Sequence, residues 1–254
     1  MTSELILLCL AAFIAGFVDA IVGGGGLIQT PSALVLLPMY PVVNVLGTLK
    51  IPAFTGTAFA AVQYARKVRV HLHLLIMMMI IAFCAALAGS KLLTMVSNHF
   101  MKPLLLCILI AVAIYTYSKK SFGTESEKKL DNKQAFVYGA IISLVIGFYD
   151  GFIGPGAGSF LIICFVAVLG QDFLKASAHA KFVNLSTNLG SIIFFATTGK
   201  IMYAIAIPMA VCNALGSIIG TRLAIFKGNK FIRFFFLAVV CLTILRFAYD
   251  IVKF

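Results

Sequence analysis

Lys50 and Lys181 each stand several residues inside a long apolar stretch, and so do Asp19 and Asp150. Charges in such surroundings are costly and usually face a cavity or a partner. The four are related by one spacing, because Asp150 lies 131 positions after Asp19 and Lys181 lies 131 after Lys50. Two lysines placed equivalently would suit an anion, a divalent oxyanion included. Helical spacing puts Asn184 and Asn188 on the face of Lys181, and Thr57 on that of Lys50. Two glycine clusters share the same offset, Gly23-Gly24-Gly25-Gly26 and Gly154-Pro155-Gly156-Ala157-Gly158. Glycine admits backbone conformations and close ligand approach that other residues forbid. A short apolar segment follows each cluster, and the N–H groups at its start favour an anion.

Each feature has a plainer reading. The glycines would also serve a tight turn or close helix packing. The lysines would also snorkel to the interface, or pair with the aspartates. For the aspartates three roles compete: proton carrier, ion-pair partner of a lysine, or acceptor for a broken helix. The anion-site reading is preferred for the lysines and the glycine clusters, and the pairing or structural reading for the aspartates. The expected substrate-binding set is therefore Lys50, Lys181, Gly24, Gly25, Gly26, Gly156, Gly158, Thr57, Asn184 and Asn188. Asp19 and Asp150 are its coupling or structural carboxylates.

The elements that must position these residues follow from composition. Of 254 residues, 62% are hydrophobic and 11% charged, with a mean hydropathy of +1.08. Soluble domains carry about 25% charged residues. Spans of about 20 residues and turns of about five fit about ten segments into this length. Unbroken apolar runs such as 74–87 and 234–245 contradict the apolar–polar alternation of a β-barrel. The net charge of +12 fits basic loops that hold a topology, and no basic-aromatic module points to nucleic acid. The six cysteines lie in apolar runs without a CxxC pair, as small buried hydrophobes do. The N-terminus lacks a basic n-region, so residues 5–22 read as a retained segment.

The 131-residue offset extends far beyond the charged residues. It carries Gly16-Phe17 onto Gly147-Phe148, Met78 onto Met209, Gly89 onto Gly220 and Phe100 onto Phe231 without a gap. The predicted segments are 4–22, 27–38, 43–65, 71–95 and 100–118 in the first half. In the second they are 135–153, 158–170, 175–196, 202–225 and 232–252. A polar linker, 119–133, separates a first transmembrane repeat (1–118) from a second (134–254). The second segment of each half is too short for an ordinary span and reads as a half-helix. Three loops are strongly basic: Arg66, Lys67 and Arg69; Lys119, Lys120, Lys128, Lys129 and Lys133; and Lys227, Lys230 and Arg233. The opposite loops and ends hold Lys102, Lys200 and Lys253. The basic loop after the third segment is not repeated in the second half, as expected if the repeats are inverted and each has an odd number of crossings. The expected fold is an all-α polytopic membrane protein of two inverted repeats, each of about five helical segments with broken or re-entrant helices at the glycine motifs. The three basic loops are then cytoplasmic, and both termini lie outside.

The run Gly16-Phe17-Val18-Asp19-Ala20-Ile21-Val22-Gly23-Gly24-Gly25-Gly26-Leu27-Ile28, with Pro31 after it, resembles the signature of the sulfite exporter TauE/SafE family. Residues 147–158 resemble that family's divergent second repeat, with Pro155 and Ala157 interrupting the glycines. The resemblance covers essentially the whole chain, central linker included. It implies a cytoplasmic-membrane transporter for small sulfur-containing anions such as sulfite, thiosulfate or sulfonates, without naming the substrate.

The preferred function is a secondary transporter of that anion class working by alternating access, and the alternative is a passive small-anion channel. An enzyme is not expected: no Walker A lysine motif, HExxH or nucleophile elbow is present. Neither a cofactor nor a metal is expected. The expected partners are a small anionic substrate and the lipid bilayer, and a homo-oligomer is compatible with the sequence. Lys91 and Arg222 read as snorkelling residues, His71 and His73 as interfacial, and His179 as core or pore. The topology is directly testable. A reporter inserted in 119–133 should be cytoplasmic and one after Phe254 should be periplasmic; the same side for both ends of the second half would rule out inversion.

Overall fold

The computed structural model describes residues 2–68, 72–97 and 131–252. Among these residues every regular element is a helix. The first half holds α1 (Thr2–Val22), α2 (Gly26–Leu36), α3 (Val42–Ala65) and α4 (Leu72–Met95). The second holds α5 (Asn132–Phe152), α6 (Ala157–Ala167), α7 (Phe173–Thr197) and α8 (Tyr203–Val252). The predicted segment 100–118 and the linker as far as residue 130 lie outside the described residues. The last two predicted segments are two helices that meet at a kink at Gly228, with φ 69°, and they are labelled together as α8.

Among the described residues, five helices are long and apolar enough to cross a membrane: Ser3–Val22, Val42–Ala65, Leu72–Met95, Lys133–Phe152 and Tyr203–Gly228. Their exposed faces are apolar. On α8, Ile207, Val211, Leu215 and Ile219 are each more than half exposed, and their four-residue spacing draws a single stripe along the helix. Ile76 and Ile80 of α4, and Ile141, Leu144 and Val145 of α5, form similar faces. In water such stripes would be a liability; against hydrocarbon they carry no penalty. The chain is built as a multi-pass membrane protein.

The polar residues are sorted to the inside. α7 has 25 residues, enough to span, yet it is not among the five apolar helices because Ser177, His179, Lys181, Asn184, Ser186, Thr187, Asn188 and Ser191 interrupt it. All eight are buried. α3, its counterpart in the first half, likewise buries Thr48, Lys50 and Thr57. A helix so polar tolerates a membrane only when other helices enclose it.

The enclosing helices pack across the halves, and the contacts recur at the 131-residue offset. A Cβ on Gly16 of α1 would stand 2.8 Å from Asn213 Oδ1 of α8, and one on Gly147 of α5 would stand 2.8 Å from Ala82 Cα of α4. Gly220 of α8 faces Phe17 and Ala20 of α1, while Gly89 of α4 faces Phe148, Gly151 and Phe152 of α5. Small residues permit this close approach, and dispersion forces between the helices are the gain. Gly151→Ala puts its methyl 2.6 Å from Ala86 Cα, whereas at Gly24 the nearest atom is Ser159 Oγ at 3.4 Å. Gly151→Ala should therefore lower stability by roughly 1–3 kcal/mol through overpacking, while Gly24→Ala should be nearly neutral. Thermal unfolding of the two variants in detergent checks the contrast.

Candidate functional site

Helix α1 ends at Val22, and Gly23 follows with φ 76°. A left-handed glycine just past a helix closes its last turn, here through a bond from Gly23 N to the Asp19 carbonyl of 2.8 Å. α5 ends in the same manner at Phe152, with Gly154 at φ 96° accompanied by a bond of 3.2 Å from its N to the Tyr149 carbonyl. Such ends leave carbonyls without intrahelical donors and carry a partial negative charge. Neither helix has a basic residue in its last turn. The cation comes from the other half instead.

Lys181 of α7 forms an ion pair with Asp19 of α1, Nζ to Oδ2 2.8 Å, and Lys50 of α3 forms one with Asp150 of α5, Nζ to Oδ1 2.9 Å. Each ammonium also donates to the main-chain carbonyl of the same aspartate. One lysine thus neutralises a buried carboxylate and caps the helix that carries it. Three further carbonyls of these ends are covered by Tyr64 Oη on Ala20 (3.1 Å), Ser159 Oγ on Val22 (2.8 Å) and Ser90 Oγ on Gly151 (3.2 Å).

The two glycine breaks meet. Ser159 N, in the first turn of α6, donates to the Gly23 carbonyl at 3.0 Å, and a Cβ on Gly158 would stand 2.9 Å from Gly23 Cα. Between the breaks and the ion pairs lies a cavity of about 60 Å³. A single water needs roughly 10–15 Å³ of such space, so a few waters or a small ion fit. Gly25 and Gly156, the residues that precede α2 and α6, both line it.

Of the residues expected at a substrate site, Lys50, Gly25, Gly26, Gly156, Gly158, Asn184 and Asn188 line the cavity, together with both aspartates. Gly24, Thr57 and Lys181 do not. Thr57 stands behind the wall, 3.4 Å from Asn184 Oδ1 and 3.5 Å from Asp19 Oδ2. The Lys181 side chain is 1% exposed and is engaged with Asp19. The ion-pair alternative considered for the lysines is thus realised for both. His179 is a core residue, its Nδ1 3.0 Å from the Lys175 carbonyl and its ring edge-on to Phe165. Lys91 and Arg222 are exposed, as snorkelling requires.

Sequence reasoning missed Gln29, Thr30 and Asn213, which also line the cavity. Asn213 Nδ2 donates to Gln29 Oε1 at 3.0 Å, and Gln29 Nε2 reaches the Leu49 carbonyl at 3.4 Å. Comparing the halves hides this pair, because the counterparts of Gln29 and Asn213 are Phe160 and Ala82. The usable signal was an uncharged amide standing alone in an apolar run.

The two ion pairs are not equally enclosed. Asp150 Oδ2 accepts from Asn184 Nδ2 at 2.9 Å and from Thr187 Oγ1, leaving its side chain 5% exposed. The positions equivalent to Asn184 and Thr187 are Ala53 and Gly56, so Asp19 lacks those two partners and has on Oδ2, besides Lys181, only the long contact of 3.5 Å from Thr57 Oγ1. Its Oδ1 receives a long contact of 3.4 Å from Gly25 N, and its side chain is 20% exposed. Removing one member of a buried pair strands the other, at a cost of about 3–5 kcal/mol. Lys50→Met should destabilise the protein by that order, and Lys50→Met combined with Asp150→Asn should recover a large part. Thermal unfolding of wild type, both single variants and the double variant measures the coupling; a double variant no more stable than Lys50→Met would exclude the pair as the source.

Comparison with known proteins agrees with this architecture. The family described as "Sulfite exporter TauE/SafE" matches residues 8–247. "Probable membrane transporter protein ORF9" of Sinorhizobium sp is 37% identical over 226 residues, covering 89% of this chain and 85% of that protein. "Probable membrane transporter protein YfcA" of Escherichia coli K12 is 34% identical over 256 residues, covering 98% and 92%. A "Probable membrane transporter protein" of Haemophilus influenzae is 35% identical over 228 residues, covering 90% and 88%. No solved structure matches the chain. With its helices, its glycine breaks and nearly its full length accounted for, the chain belongs to the sulfite exporter TauE/SafE family of membrane transporters.

Proposed function

We propose that the protein is a secondary transporter that moves a small sulfur-containing anion, of the sulfite, thiosulfate or organosulfonate class, across the cytoplasmic membrane by alternating access. The observation that carries this reading is the convergence of two crossed Lys–Asp pairs and two helix breaks on one small cavity. Helices α2 and α6 have 11 residues each, about 16 Å of helix, against a hydrocarbon core of about 30 Å. They are read as re-entrant half-helices whose N-termini offer backbone N–H groups to an anion. Lys50 adds a charge: two of its three N–H bonds go to Asp150, and its third is free for a ligand in the cavity. Asn184 Nδ2 gives one N–H to Asp150 and has a second for the ligand, while Asn188, whose Nδ2 donates to the Asn184 carbonyl and Oδ1, holds that amide in place. Lys181, enclosed behind Asp19, serves this site by holding that carboxylate.

The halves are read as inverted repeats, with the basic loops cytoplasmic and both termini outside. Helices that exchange equivalent contacts across a pseudo-twofold can rock against each other and open the cavity to either side in turn. The size of the cavity and its closure by Ser159 against Gly23 favour a carrier over an open pore.

The test is counterflow in proteoliposomes with labelled sulfite, thiosulfate and methanesulfonate. A carrier takes up at least one of them saturably, and faster when the lumen holds the same anion. Ohmic anion currents without counterflow would instead establish a channel. Asn188→Leu, which fills the cavity without altering charge, should reduce uptake by at least about tenfold, the equivalent of 1.4 kcal/mol. Normal uptake by a well-folded Asn188→Leu variant would move the substrate elsewhere.

A further inference from the structure

The four charges of the site add to zero: two lysines and two aspartates, paired one to one. A small anion entering this cavity adds a negative charge to a neutral, poorly solvated site. Uncompensated charge is costly there, so the anion needs a positive charge to accompany it. Two carboxylates could supply the compensation by taking up a proton, and they differ in their readiness to do so. Asp150 is held at both oxygens by Lys50, Asn184 and Thr187. Asp19 Oδ2 is held firmly by Lys181, with Thr57 Oγ1 at 3.5 Å, while Oδ1 has one long contact, from the N of Gly25, which lines the cavity as Asp19 does. That N–H belongs to the residue preceding α2, the place where an anionic ligand would bind. In the empty site the Asp19 carboxylate stands in for the substrate.

We infer that Asp19 is a proton site and that the protein is an anion–proton symporter, taking one proton onto Asp19 for each anion bound. The inference rests on the anion-carrier reading above. The proton comes from water on the side to which the cavity is open and forms one O–H bond at Asp19 Oδ1. The Asp19 carboxyl is then neutral, and the incoming anion balances the charge left on the lysines. On the other side the O–H bond breaks, the proton returns to water and the anion leaves with it. A monovalent anion is thereby carried without net charge movement.

The groups facing Asp19 agree with this role. From α7 comes Lys181, and from α3 Tyr64, whose hydroxyl is committed to the Ala20 carbonyl. Lys50 of α3 and Asp150 of α5 line the same cavity as a pair. The breaks before α2 and α6 contribute glycine backbone there, α2 adds Gln29, and α8 adds Asn213, none of them titratable. The duplicated second-half aspartate has lost this freedom, because the second-half helix α7 has Asn184 and Thr187 where α3 has Ala53 and Gly56.

The experiment counts protons. Thiosulfate and methanesulfonate hold no proton near neutral pH, so any proton taken up on binding belongs to the protein. Calorimetric titration in two buffers of different ionisation enthalpy should give about one proton bound per anion by linkage. Asp19→Asn should bind the anion with no proton uptake. In proteoliposomes uptake by this variant should no longer depend on a pH gradient, whatever fraction of counterflow it retains with Lys181 left without its carboxylate. Should Asp19→Asn fold poorly, infrared difference spectra of the wild-type protein decide: a protonated-carboxyl C=O band should appear on anion addition. Counterflow without proton uptake, or unchanged uptake in Asp19→Asn, would overturn the coupling and leave the carrier reading intact. Failure of every anion to bind or exchange would overturn the carrier reading, and the coupling with it.

Discussion

A charge inside a membrane protein must find its counter-charge inside the same molecule. Here the requirement is met twice, by Lys181 on Asp19 and Lys50 on Asp150, and each bond joins one half of the chain to the other. The lysine that answers a carboxylate also answers one carbonyl of a helix that stops inside the protein. A helix can end in a low-dielectric interior only where something else satisfies its last turn. The ion pairs are therefore what permits the glycine breaks to exist, and the breaks are what open the cavity. Separate the halves, and two buried charges and two helix ends lose their partners at once.

That constraint determines how the remaining helices are used. α3 and α7 carry the polar side chains and are enclosed, while α1, α4, α5 and α8 turn apolar stripes outward. Enclosure needs close approach, which is why glycines face backbone across the interfaces of α1 with α8 and of α4 with α5. The two halves repeat these contacts, so most of the scaffold is symmetric. The site is not: Gln29, Asn184, Thr187 and Asn213 have apolar or glycine counterparts. Symmetry belongs to packing, where equivalent helices meet equivalent neighbours. Asymmetry belongs to chemistry, because a cavity at the junction of the halves needs only one copy of each polar group.

Most of the architecture is legible in the sequence. Every described helix matches a predicted segment to within a few residues, because an apolar run of membrane length has few alternatives. α2 and α6 were recognisable by being too short. Legibility weakened where polar residues interrupt the pattern. The fourth and last segments of the second half meet at a kink at Gly228 where a loop is expected between residues 225 and 232, since nothing in the local composition there distinguishes a bend from a loop. Gln29 and Asn213 escaped notice because a lone amide in an apolar run has no local signature of its purpose.

By itself, the sequence determined the membrane, the duplication and the identity of the four charged residues, because hydropathy, a constant 131-residue offset and the rarity of charge in apolar runs are all properties of a linear string. It left open which lysine meets which aspartate and whether the lysines face one ligand together. Those are questions of distance across the halves. Only the tertiary structure decided that the pairs cross, that Lys50 borders the cavity while Lys181 is enclosed, and that Asp150 is saturated while Asp19 is not. The physical reason is that burial and hydrogen bonding depend on neighbours more than 100 positions apart, such as Lys181 and Asp19, which no local pattern encodes.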